Sequence, residues 1–157
     1  MSRTLCFFLL FAFLSGCLVS CDPRMKSAKE DYFFELGDVI IRVGDDANDA
    51  VERLGQYNCC QRANSCAGIG EDILFIYNGL RISAFSDGNN SRISAIELTS
   101  DLLSTPEGVR IGDSDSKLEG IYGEGERDGA RIIYQGKSCR LCFTVKKGVV
   151  SKIKYIE

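Results

Sequence analysis

A chain that repeats its own sequence is restricted to architectures that can be built twice, and this one repeats itself. Val39-Ile40-Ile41-Arg42-Val43-Gly44-Asp45-Asp46 lies without a gap on Glu107-Gly108-Val109-Arg110-Ile111-Gly112-Asp113-Ser114, so that Gly44 meets Gly112 and Asp45 meets Asp113. Further on, Leu54-Gly55 falls on Tyr122-Gly123, Tyr77-Asn78-Gly79 answers Tyr134-Gln135-Gly136, and residues 93–98 answer residues 150–155. The pattern predicts an internal duplication, residues 32–104 and then residues 105–157. At 157 residues in all, two such halves are small, and a shared core suits them better than two separate ones.

A leader precedes the repeats. Residues 1–4 carry one positive charge and residues 5–14 are almost wholly apolar, the layout of a signal peptide and too short for the roughly 20 residues of a membrane-spanning helix. Leu14-Ser15-Gly16-Cys17 resembles the bacterial lipobox, and Leu18-Val19-Ser20-Cys21 matches it again. The resemblance implies cleavage after residue 16, or alternatively after residue 20. Cys17 would then be lipidated, or Cys21 in its place, with residues 17–31 as the lipidated cysteine and flexible tether. The expected location is the extracytoplasmic face of a cell membrane.

Local signals place the elements of each half. Residues 32–35 and 39–43 flank Leu36-Gly37-Asp38 and read as a β-hairpin. Asp45 or Asp46 can cap a helix whose Ala47, Ala50, Val51 and Leu54 share one face and which Gly55 ends. Residues 56–72 read as an insertion, followed by strands over 73–77, 80–85 and 92–99. In the second half, Asp113 or Ser114 starts a helix burying Leu118, Ile121 and Tyr122, and Gly123 stops it. Residues 124–129 read as a loop before strands over 131–135, 139–145 and 149–156. The expected fold is therefore α+β: a tandem repeat of a short helical element plus antiparallel strands, in a sheet covered on one face. Ile96, Leu98, Leu141, Phe143, Ile153 and Tyr155 are assigned to its core. Glu97, Arg140, Thr144, Lys152 and Lys154 alternate with them, so they form the candidate binding face.

Chemistry is harder to assemble. The chain has no histidine, which removes the commonest general base, the Ser-His and Cys-His pairs and most zinc sites. Asp45-Asp46, Asp113 with Asp115, and Glu124 with Glu126 are paired carboxylates, but the first two pairs stand at helix starts, where acids cap amides. Cys139 and Cys142 have redox or zinc spacing, yet residues three apart on a strand face opposite ways. Together with Cys59, Cys60 and Cys66 they read as small buried residues or disulfide cysteines of open connectivity. Asp87-Gly88-Asn89-Asn90 reads as a hairpin turn rather than a calcium loop. Tyr32, Phe33, Phe34, Phe75, Tyr77 and Tyr134 read first as core aromatics and second as a recognition surface. Without Arg3 the chain keeps 18 of its 19 basic residues against 22 acidic ones, a net charge of −4 with no basic stripe for nucleic acid. No catalytic residue, cofactor or metal is expected.

The pattern Cys66-Ala67-x-x-Gly70-x-Asp72, then Tyr77 and Gly79, then Thr105-x-Glu107-Gly108-Val109-x-Ile111-Gly112-Asp113-Ser114 and Tyr122-Gly123, resembles an uncharacterised family of lipoproteins from anaerobic Gram-positive bacteria. The unit of one helix followed by strands also resembles, in layout, the repeat of β-lactamase-inhibitor-protein-like (BLIP-like) folds and of BamE-like assembly lipoproteins. The resemblance implies a location and a fold, and it brings no catalytic residues. The expected function is a non-enzymatic, lipid-anchored envelope protein that binds or scaffolds a protein or peptide ligand. An inhibitor of a secreted hydrolase, such as a β-lactamase or peptidase, and a thiol-based redox protein are the alternatives.

Overall fold

A computed structural model describes residues 31–66 and 68–157. The leader, Cys17, Cys21 and most of the expected tether lie outside the described residues. The first described element is a hairpin of β1 (Phe34–Leu36) and β2 (Val39–Ile41), in which Phe34 pairs with Ile41 and Leu36 with Val39. Then comes α1 (Ala47–Leu54), with Asp46 as its cap: the carboxylate accepts the amides of Asn48 at 2.9 Å and Asp49 at 3.0 Å. Its buried residues are Ala47 and Ala50, and it packs against β2 and the strand introduced below as β6.

Four strands follow: β3 (Cys59–Asn64), β4 (Glu71–Ile76), β5 (Leu80–Ser86) and β6 (Ser91–Leu98). After α2 (Asp115–Tyr122) come four more: β7 (Glu126–Asp128), β8 (Arg131–Gln135), β9 (Arg140–Lys146) and β10 (Val149–Ile156). All eight join in one antiparallel sheet of order β3-β4-β5-β6-β10-β9-β8-β7. Each run of four is thus a meander, and the last strands of the two runs meet in the middle. The fold mixes helix and strand as expected, but strands dominate it.

Two of the strands contradict the sequence reading. Residues 56–72 contain β3 and are no plain insertion, and the expected loop 124–129 contains β7. Both are sheet edges, where side chains need not bury, so neither carries the apolar alternation by which strands are recognised. Every residue of β7 is exposed, and in β3 Cys60 alone is half-buried. A third correction concerns α2: Leu118 is fully buried and Tyr122 packs on the core, but Ile121 is 40% exposed. At eight residues the helix turns Ile121 away from the sheet once Leu118 and Tyr122, four apart, are seated.

The core lies along the middle of the sheet. Ile96, Leu98, Leu141, Phe143, Ile153 and Tyr155, assigned to it from the sequence, are all buried, alongside Phe75, Ile82, Ile132 and Tyr134. Register places Ile82 beside Ile96, Ile96 beside Tyr155, Tyr155 beside Leu141 and Leu141 beside Tyr134, a continuous apolar row across five strands. Of the aromatics singled out above, Tyr32, Phe34, Phe75 and Tyr134 are buried, while Phe33 and Tyr77 are half-buried.

Several backbone details occur twice. The amide of Gly44 donates to the Ile93 carbonyl at 2.8 Å, and that of Gly112 to the Val150 carbonyl at 2.8 Å. The return bonds are Ile93 to Asp45 at 2.9 Å and Val150 to Asp113 at 2.8 Å. Asp45 accepts the Arg42 amide and Asp113 the Arg110 amide, both at 2.8 Å. Both central strands also break register at a serine: Ser94 is skipped between Ile93 and Ala95, and Ser151 between Val150 and Lys152.

Candidate functional site

The five residues of the candidate binding face lie on three adjacent strands. Lys154 of β10 stands opposite both Glu97 of β6 and Cys142 of β9, Lys152 stands opposite Thr144, and Arg140 stands opposite Ile156. They are neighbours because alternate residues of a strand share a face. Glu97 is half-buried, its side chain 15% exposed, and its carboxylate lies 3.1 Å from Lys152 Nζ and 3.8 Å from Arg81 Nη1. Arg81 was not singled out in the sequence, although it sits opposite Glu97 in register. Arg140 Nε donates to the backbone carbonyl of Glu157 at 3.0 Å, so one of these cations is partly engaged by the chain itself. Lys154 forms no ion pair among the described residues.

Toward the first edge the sheet holds a shallow trough of about 410 Å³, lined among others by Gln61, Ala63, Asp72, Leu74, Ser83 and Ser94. Small side chains hollow it: Ala63, Ser83 and Ser94 leave room that larger residues would fill. Sequence reasoning missed it because β3, which forms one wall, was not recognised as a strand.

The paired carboxylates are occupied with structure. Asp45 and Asp46 hold the amides already described, and Asp113 accepts both the Arg110 amide and Lys117 Nζ, each at 2.8 Å. The Lys117 ammonium, joined by the Arg110 amide, holds the Asp113 carboxyl below its ordinary pKa. Asp115 accepts the Ser116 amide at 2.8 Å, while Glu124 and Glu126 are exposed. Asp87 accepts the amides of Asn89 and Asn90, which is what a hairpin turn asks of it. Among the described residues no group of three or more Cys, Asp or Glu side chains is placed to hold a metal ion.

Cys59, Cys60, Cys66, Cys139 and Cys142 are free thiols. Cys59 and Cys66 are exposed at the β3 end of the molecule, whereas Cys139 and Cys142 are buried five strand positions away, roughly 24 Å at about 4.8 Å per step. The length of β3 also separates Cys59 from Cys66, roughly 17 Å over Cys59–Asn64 at about 3.3 Å per residue, beyond the reach of a disulfide. Cys142 lies on the charged face, where burial raises its pKa against the opposing pull of Arg140, Arg131 and Lys154. Burial, then the Asp31 carboxylate nearby, pushes the Cys139 thiol up to about 12. Neither is a thiolate at neutral pH.

Asp31, read from the sequence as the end of the tether, has a structural task. Its carboxylate accepts the amides of Ser138 at 3.0 Å and Cys139 at 3.1 Å, tying the start of the described chain to the β8–β9 turn. A second polar cluster lies under α2, where the Tyr122 hydroxyl bonds Glu107 and, at 2.8 Å, Thr105 Oγ1. Burial and the Glu107 carboxylate together keep that phenol protonated. Both clusters join residues far apart in sequence, and no local signal announces either.

No family model matches this chain, and no curated protein and no solved structure match it. Among the described residues no helix is long and apolar enough to cross a membrane.

Proposed function

We propose that this chain is a non-enzymatic, lipid-anchored protein of the cell envelope, built by duplication, whose charged sheet face binds a protein or peptide. The duplication is supported by the matched corners at Gly44 and Gly112 and by the matched bulges at Ser94 and Ser151. Cover on a single face is supported by α1 and Tyr122 of α2 packing where the apolar row runs. The anchor rests on the lipobox-like tetrapeptides ending in Cys17 and Cys21. The likeness to lipoproteins of anaerobic Gram-positive bacteria and to BLIP-like and BamE-like repeats rests on the sequence patterns alone.

The observation that carries the binding role is the grouping of Arg81, Glu97, Arg140, Lys152 and Lys154 beside the trough, while the paired aspartates are engaged in backbone bonds. A mixed-charge face with a hollow beside it can seat a polar partner and stay soluble without one. The test is capture from solubilised membranes by the anchored chain and by a triple variant, Arg140→Glu, Lys152→Glu and Lys154→Glu. Capture should be lost while the chain stays folded, each reversal costing about 1 kcal/mol or less, the usual scale for a surface ion pair. Undiminished capture by the triple variant would refute this placement of the surface.

The same face supports a second reading, cover for a secreted hydrolase, which is favoured if the captured protein is an enzyme that loses activity in the complex. A thiol-redox role draws no support from Cys139 and Cys142, whose thiols are buried and held protonated.

A further inference from the structure

The two edges of the sheet are protected unequally. β7 is three residues long, all of them charged, and Asp128 and Arg127 are paired with Arg131 and Glu119. Short, charged edges resist the addition of another strand. β3 is six residues long, has no proline and carries a single charge, Arg62, which pairs with Glu71 at 3.1 Å.

The ladder also fixes which backbone groups β3 offers. The Ser65 amide donates to the Gly70 carbonyl at 2.9 Å, continuing the register in which Ala63 faces Asp72 and Cys59 faces Ile76. Antiparallel bonds alternate along a strand, so odd-numbered residues bond inward and the N–H and C=O groups of Cys60, Arg62 and Asn64 point away from the sheet.

From this we infer that β3 is a dimer edge, at which a second copy of the chain adds its own β3 antiparallel about a twofold axis. Self-pairing favours one register. Centred on Gln61, it bonds Cys60 to Arg62 of the second copy, sets Cys59 opposite Ala63, and places the two Gln61 amides together at the axis. Centring on Arg62 opposes two guanidinium groups, which is destabilising. Centring on Cys60 matches Ala63 and Asn64 with Tyr57 and Gln56, which lie outside the strand. In the Gln61 register the trough, walled by Gln61 and Ala63, continues across the axis into its counterpart. The dimer itself does not depend on the binding reading of the charged face.

Gln61 is exposed, and its pair at the axis is of the non-hydrogen-bonded kind, with Cα atoms about 4.5 Å apart, a distance a disulfide spans. The experiment therefore uses the full chain in detergent with Cys59, Cys60 and Cys66 changed to Ser, with and without Gln61→Cys. Oxidised glutathione is the oxidant: two protein thiols become one disulfide and one glutathione disulfide becomes two thiols. Gln61→Cys should give at least tenfold more covalent dimer than the same background without it, and than a Lys147→Cys control on the β9–β10 turn. A Gln61→Cys chain that remains monomeric, as it would if β3 took a strand from a different protein, overturns the inference, and so does dimer no greater than in the controls. Loss of partner capture by the triple variant bears on the charged face and leaves this result unchanged.

Discussion

The two halves of the molecule agree at their corners and differ at their edges. At the corners, Gly44 and Gly112 make the same bond at the same length, and helices of eight residues follow, capped by Asp46 and Ser114 and ended by Gly55 and Gly123. At the edges, the first half ends in a six-residue strand of mostly uncharged residues and the second in a three-residue charged one. Corners are set by backbone requirements that few residues meet, whereas an edge strand asks only for extended backbone. On the duplication proposed above, sequence similarity between the halves is expected to survive at the corners and to be lost along the edges.

The comparison is tested most severely in the core. Phe143 of the second half and Ile82 of the first are both fully buried in one cluster that spans the sheet. Phe143→Ala should cost about 3–5 kcal/mol and Ile82→Ala about 2–5 kcal/mol. Urea unfolding of each should remain a single transition, since both halves share that cluster. Two separated transitions in either variant would show that the halves are independent units.

A smaller effect is expected at the helix ends. Gly55 and Gly123 have φ of 80° and 77°, a region that side chains with a Cβ rarely enter, and a Cβ at either would meet nothing within 4 Å. Strain, and not crowding, then sets the cost. Gly55→Val and Gly123→Val should each destabilise by about 1 kcal/mol or more, by similar amounts. Thermal melts in which one is neutral and the other costly would break the equivalence.

How much of this was legible in the sequence follows the same division. Gly44, Gly55, Gly112 and Gly123 were readable because each meets a local requirement within a few residues of itself, and the helix caps were narrowed to Asp45 or Asp46 and to Asp113 or Ser114. The core rows were readable from alternation, as in Ile153 and Tyr155 between Lys152 and Lys154. β3 and β7 were not, because exposed edges carry no alternation, and Ile121 was misassigned because an eight-residue helix buries only part of a face. Asp31 with Ser138, and Tyr122 with Glu107, are long-range contacts. The candidate charged face followed from alternation, but Arg81 and the trough required knowing which strands are neighbours.

The smallest expected effect is with pH. Asp31 is lowered in pKa although partial burial opposes this, because the Ser138 and Cys139 amides stabilise its charge, and Asp113 is lowered chiefly by Lys117. A carboxyl with a depressed folded pKa contributes stability above its unfolded value, here 3.8, and loses it as pH falls toward the folded value. Stability from these two groups should be flat above about pH 5 and decline below about pH 4. Asp31→Asn should make the decline shallower in acid urea titrations, and an unchanged slope would remove Asp31 from this account.

The central claim is that two like units meet at the β6–β10 seam, and amide hydrogen exchange followed by NMR on the full chain in detergent measures it residue by residue. Gly44 and Gly112 should exchange slowly and within about tenfold of each other, and Ile93 and Val150 likewise, since each pair closes the same corner with bonds of 2.8–2.9 Å. Protection of one member of each pair beside rapid exchange of the other would contradict the claim.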